Sequence, residues 1–265
     1  MEKRNKIIIG AALILIFLGA ATASLYFFSA PKSELNMYNS NLDPGISNNS
    51  NLNNSKDTQN THNVPVKSVN VIGSTDYGKV TVEGPYGKSN SKVKIAVITG
   101  VHPLESDSHK AAVESIKSND KSLNYCYYIY RVTVTRNADN YDKGRMNGQL
   151  LANKFVVPHV ISQNYNLAID IHSNRGVADY SKTQKFIFAP AEDTKSKSIS
   201  LKILDKVPGF VYYTPASQTS PMYVTIPLVN AGTPAVVYET YIHDSYQATR
   251  TNAQNLINSV DNLKF

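Results

Sequence analysis

An α/β fold with a mixed, largely parallel sheet sandwiched by helices is what the sequence after residue 65 predicts. Two observations lead there. Short runs rich in Val, Ile and Tyr alternate with stretches of helical period, the pattern of strands joined by helices. Two of the runs, 93–99 (VKIAVIT) and 235–238 (AVVY), are continuously apolar, as strands covered on both faces are.

The elements follow in chain order. Segments 66–72 and 79–83 read as the strands of a hairpin-like entry, and 93–99 as a buried strand. A helix over 106–117 comes next, then a strand over 125–135 rich in Tyr, Val and Thr. The period predicts a helix over 144–163, which Pro158 must kink or end early. Residues 167–171 form another buried strand, 185–188 another, and 196–205 a helix. Segment 211–214 is strand-like, 235–238 is buried strand, and 245–260 is a final amphipathic helix.

The chain has 265 residues, room for one ordinary domain and an appendage. Its apolar fraction of 42 % suffices for a core, and 18 % charged residues are too few for a solvated coil. The net charge of +7 divides into +1 for residues 1–65 and +6 for 66–265. The excess is spread without a dense basic run, which argues against nucleic acid as a partner. A single cysteine, Cys126, excludes a disulfide framework and a Cys-rich zinc module. Lying inside a strand, it reads as a small core side chain.

Lys3, Arg4 and Lys6 precede an apolar run over 7–28. Twenty-two residues give a helix of roughly 33 Å, enough to cross a hydrocarbon core of about 30 Å. The basic flank places the N-terminus in the cytoplasm. Residues 1–30 are therefore expected to be a signal anchor in the cell membrane, with the rest of the chain outside. The alternative is a signal peptide cleaved after Ala21-Thr22-Ala23 and a secreted domain. Residues 31–65 hold ten Asn and five Ser, a composition expected of a disordered linker. The catalytic domain is then 66–265.

Three polar groups fall just past predicted buried strands: His102 and Glu105 after 93–99, His172 after 167–171, and Glu239 after 235–238. Two imidazoles and a carboxylate are the donor set of a catalytic zinc site that keeps a fourth position open. A further carboxylate such as Glu239 is placed to take a proton from water. Alone, His-x-x-Glu arises by chance in many chains, and a satisfied strand-end histidine is the plain reading of His172. Asp170 shares a strand face with His172 and is expected either to hold that imidazole or to accept from a nearby backbone donor. His109, one helical turn beyond Glu105, reads as a surface residue, His243 as a surface residue or one behind the site, and His159 is given no catalytic part. Tyr223, Tyr238 and Tyr241 lie near these segments and are assigned no role.

ITGVHPLES, AIDIHSN and GTPAVVYET, in that order and each at the end of a buried strand, resemble the zinc carboxypeptidase superfamily, including its succinylglutamate desuccinylase/aspartoacylase branch. The stretch from Ile226 to Pro234 resembles that family's approach to its catalytic glutamate. The likeness covers 93–260. It implies that His102, Glu105 and His172 bind one Zn2+ and that Glu239 is general base and acid. It implies further that Arg145 steadies the oxyanion, with Arg136 and Asn147 holding a substrate carboxylate. Only 66 residues separate Glu105 from His172, fewer than in the larger carboxypeptidases. The expected activity is hydrolysis of an amide bond in extracytoplasmic or cell-wall peptides. The alternatives are a deacylase of N-acyl amino acids and a surface binding module without turnover.

Overall fold

A computed structural model describes residues 67–217 and 219–265. The expected membrane helix, the linker and Val66 lie outside the described residues. Among the described residues no helix is long and apolar enough to cross a membrane.

Eight strands form one sheet: β1 (Ser68–Thr75), β2 (Gly78–Gly87), β3 (Lys94–Thr99), β4 (Cys126–Val134), β5 (Leu167–Asn174), β6 (Phe186–Phe188), β7 (Val211–Tyr212) and β8 (Ala235–Tyr241). Their spatial order is β1-β2-β4-β3-β5-β8-β6-β7. The central four, β4, β3, β5 and β8, run parallel. Antiparallel pairs flank them, β1 with β2 and β2 with β4 on one side and β6 with β8 on the other. The sheet is thus parallel through its buried centre, with antiparallel pairs outside it and the short β7 joined parallel to β6 at one edge.

Alternate residues of the central strands feed two cores. Ile95 and Val97 of β3 pack with Ala112 and Ile116 of α1 (Ser106–Ser118), Ile203 of α4 (Thr194–Leu204) and Leu256, Ile257 and Val260 of α7 (Tyr246–Asp261). Ala96 and Ile98 face the other way. They join Leu151 of α2 (Tyr141–Leu151), Val160 of α3 (Val157–Ser162) and Leu228 of α6 (Thr225–Asn230). A short helix, α5 (Ser220–Tyr223), precedes α6. Each fully buried Ile or Leu contributes roughly 1.5–3 kcal/mol, whereas an exposed ion pair such as Arg136 with Asp76 contributes about 0–1 kcal/mol. The two apolar layers, not surface charge, hold the sheet. Cys126 belongs to this interior, at 1 % exposure.

Three expectations change. The helix expected over 144–163 runs from Tyr141 to Ser162 on unbroken helical backbone angles, as α2, a π turn and α3. α2 starts at Tyr141 because the Asn140 side-chain oxygen caps it, accepting from the Lys143 N–H at 2.9 Å. A wide π turn over Ala152–Val156 carries the chain into α3, whose first turn holds Pro158. The π turn widens the helix just ahead of Pro158, so the residue without an N–H is accommodated and the helix continues through it. Strand β5 runs three residues beyond 171 because β8 continues alongside it, with Asn174 opposite Tyr241. Residues 220–230, to which the sequence assigns no element, hold the two short helices α5 and α6.

β4 lies on one side of β3 and β5 on the other. The chain therefore reverses its direction of travel across the sheet at β3. A crevice opens past the carboxyl ends of the strands at such a switch point.

Candidate metal centre

Gly100 turns the chain out of β3 with a φ of +84°, a conformation that disfavours any side chain. A Cβ there would also sit 2.0 Å from the Val132 carbonyl oxygen. On α2, a Cβ at Gly148 would lie 1.9 Å from the Val101 carbonyl oxygen. These two glycines let the His102 loop nest between β4 and α2. Arg145 and Gln149, one turn apart on α2, are thereby presented to the same place as His102.

Glu105 occupies the N-cap position of α1, yet its carboxylate makes no cap hydrogen bond. It turns inward instead. Oε1 lies 2.9 Å from His102 Nδ1 and accepts from Arg145 Nη1 at 2.8 Å. Oε2 lies 3.0 Å from His172 Nδ1 and accepts from the Ser173 backbone N–H at 3.0 Å. The rings of His102 and His172 stand 4.4 Å apart at 50°. All three side chains are at most 5 % exposed.

Two imidazole Nδ1 atoms and a carboxylate oxygen, all within 4.8 Å of one another, can hold a metal ion. Ligands at about 2.0–2.2 Å around a tetrahedral ion lie about 3.3–3.6 Å apart, a separation these donors reach with small side-chain adjustments. The far edges of the rings are also served. His172 Nε2 lies 3.0 Å from Asp170 Oδ2, and His102 Nε2 lies 3.1 Å from the Gln149 amide. Both Asp170 carboxylate oxygens are buried without an aligned hydrogen-bond donor. A slight turn of the His172 ring, of the kind ligation demands, supplies one. Of the two expectations for Asp170, the imidazole contact is the one observed.

Charge follows geometry. Burial depresses His102 to about 4, against the pull of Glu105, so its ring is neutral and ready to donate a lone pair at neutral pH. Burial also works against ionised Glu105, but the two imidazoles beside it hold its carboxyl well below the usual range. His172 behaves oppositely: burial disfavours its charge, while Asp170 and Glu105 raise its pKa well above the ordinary value.

Glu239 stands opposite His172 across the parallel β5–β8 pair and opens on the cleft. Asn174 Nδ2 donates to its Oε2 at 3.3 Å. Burial, with the charge of Glu105 adding, pushes its carboxyl up to about 8. A dication at the neighbouring cluster acts in the other direction.

The cleft, of about 390 Å³, is lined by this cluster and by Tyr141, Arg145, Arg175, Tyr180 and Ser220. Of the residues expected here, His102, Glu105, His172, Glu239 and Arg145 converge. Arg136 and Asn147 do not line it: Arg136 pairs with exposed Asp76 at 2.9 Å, and Asn147 donates to the Arg136 carbonyl. The phase of α2 turns Arg145 inward and Asn147 away, while Arg136 stands before α2, just past the end of β4. Tyr238 stacks on Phe210 in the core, and the cleft's tyrosines are Tyr141 and Tyr180. His109 is buried, not on the surface; its Nε2 lies 3.1 Å from the Ile171 carbonyl. Gln149, Asn174 and Arg175 are the contributors that sequence reasoning missed. Continuing β5 past His172 would have pointed to the last two, and the four-residue step from Arg145 to the first.

No protein-family model matches the chain, and no curated protein matches it. Solved structures do. A metallo-carboxypeptidase from Burkholderia cenocepacia superposes with a TM-score of 0.50 at 12 % identity, covering 76 % of this chain and 65 % of that one. An aspartoacylase family protein from Mesorhizobium loti gives 0.50 at 15 %, covering 77 % and 63 %. The chain spans less than two thirds of either. The chain shares the fold of these two structures.

Proposed function

We propose that the protein is a zinc-dependent hydrolase of carboxypeptidase type that cleaves an amide bond in a peptide. The observation that carries this reading is the buried His102, Glu105 and His172 cluster with Glu239 opposite His172, all facing one cleft. His102, Glu105 and His172 would hold the zinc ion, which would supply a Lewis acid for the scissile carbonyl and for water. Glu239 takes a proton from the attacking water and returns it to the departing nitrogen as the C–N bond breaks. Arg145 keeps one guanidinium edge on Glu105 and offers the other to the developing oxyanion or to a substrate carboxylate. Asp170 fixes the His172 ring.

An extracytoplasmic address and a membrane anchor are part of the reading, supported by the basic flank and apolar run of 7–28. They favour cell-wall or other external peptides as substrates. A deacylase of N-acyl amino acids is the second reading, favoured by the short 66-residue segment between Glu105 and His172. Parallel assays of peptides and N-acyl amino acids separate the two. Glu239→Gln in the full chain is expected to abolish hydrolysis while one zinc per chain stays bound. Retained turnover in that variant would remove Glu239 from the chemistry.

A further inference from the structure

Tyr141, at the start of α2, carries a guanidinium on each of two approaches. The Arg145 Cζ lies 5.0 Å from its ring centroid and the Arg175 Cζ 4.4 Å. The arginines reach that ring from different directions in the chain, Arg145 one turn along α2 and Arg175 immediately after β5. Their situations differ. Arg145 is partly buried and donates to Glu105. Arg175 is exposed at the cleft mouth, and among the described residues only the tyrosine ring engages it.

Stacking on an aromatic face holds a guanidinium in place while its N–H groups point outward in the plane, free for an anion. The cleft's own carboxylates do not supply one to Arg175. Glu105 is taken by the histidines and Arg145, and the Asp179 carboxylate accepts from the Ser217 backbone N–H at 3.1 Å. Glu239 lies at the floor beside Asn174. Asp142 also lines the cleft and makes no ion pair with Arg175 among the described residues.

We propose that Arg175 is a specificity-determining residue that binds a second anionic group of the substrate, so that the cleft selects an acidic residue bearing a free carboxylate. One carboxylate meets Arg145 beside the metal cluster. The other, on the side chain, meets the paired N–H edge of Arg175 at the rim. This deepens the hydrolase reading by naming its substrate class and rests on it for turnover alone, since recognition is measurable by itself.

The test uses the full-length, zinc-loaded protein with glutarate and butyrate, which differ by one carboxylate. Calorimetry is expected to show glutarate binding at least about tenfold tighter, the worth of one charge-assisted contact. Arg175→Gln should erase that gap with zinc content unchanged, and Arg175→Lys, which keeps the charge without the planar fork, should retain part of it. Peptides ending in Glu should be preferred over those ending in Gln, through KM, by a similar factor that Arg175→Gln removes. Equal affinity for the two acids in the native protein, or a gap that survives Arg175→Gln, overturns the proposal. Hydrolysis without Glu-over-Gln preference overturns it too while sparing the hydrolase reading. A glutarate gap lost in Arg175→Gln without any hydrolysis upholds the anion site and sinks the hydrolase reading instead.

Discussion

When His102 offers Nδ1 to a cation, its Nε2 must carry the ring proton, and that buried N–H needs an acceptor. Gln149, 2 % exposed, is the side chain within reach. A half-turn of its amide, indistinguishable in shape, presents oxygen to the ring. His172 has a carboxylate in the same position, Asp170. The two imidazoles are thus backed unequally, one by a neutral dipole and one by a charge. Gln149→Leu is expected to weaken zinc binding about 10–100-fold, measured by competition with a chromophoric chelator; native affinity in that variant would leave the amide without a part in the site. The four residues legible from the sequence, His102, Glu105, His172 and Glu239, each stand at or just past the end of an apolar run that marks a strand. Gln149 and Arg175 stand in polar stretches, where only the phase of α2 and the true end of β5 decide which side chains face inward. Arg136 shows the reverse error, since an arginine in a polar segment carries no mark of the direction it faces.

Helix α1 and strand β5 are pinned together by His109. Its Nε2 reaches the Ile171 carbonyl from a fully buried position, although its polar neighbours Ser106, Asp107 and Lys110 make the helix surface look wet at that point. Ser108 and His109 are in fact the start of its buried face. Burial lowers His109 to about 4, outweighing the opposite pull of Glu105. The unfolded ring titrates near 6.5, so between pH 6.5 and 4 the unfolded chain takes up a proton that the folded one refuses. The stability owed to neutral His109 is complete above pH 6.5 and drains away as pH falls toward 4, by up to about 1.4 kcal/mol per pH unit. In metal-free protein, His109→Gln should therefore show a shallower loss of stability between pH 7 and 5, read from urea midpoints at each pH. A slope equal to the native one would show that this ring is not the group responsible. The π turn before Pro158 belongs to the same scale. A proline in a helical pattern warns of a break, but only the neighbouring backbone shows that a widened turn lets the helix continue through it.

The candidate metal ligands come from two places, the loop after β3 and the far end of β5, and Glu239 from a third, β8. A bound ion therefore ties together segments that unfolding would separate, and it stabilises the fold by mass action. Zinc at a hundredfold excess over its Kd should add about 2.7 kcal/mol and raise Tm by several degrees, a shift of about 2–4 °C per kcal/mol in a domain this size. EDTA should reverse the rise, and His172→Ala should abolish it; a Tm indifferent to zinc would argue that the cluster is structural. At this scale the parallel centre of the sheet was readable from apolar runs alone. The edge order and the helices over 220–230 were not, because short, half-covered elements take their form from neighbours more than from their own period.

His172 and Glu239 sit on a single rung of the ladder between β5 and β8. A slip of those strands by one residue would swing Glu239 into the oily layer around Phe210 and bring Tyr238 out in its place. A mis-stitched chain would therefore lack the candidate site, and the seam that completes the fold also assembles it.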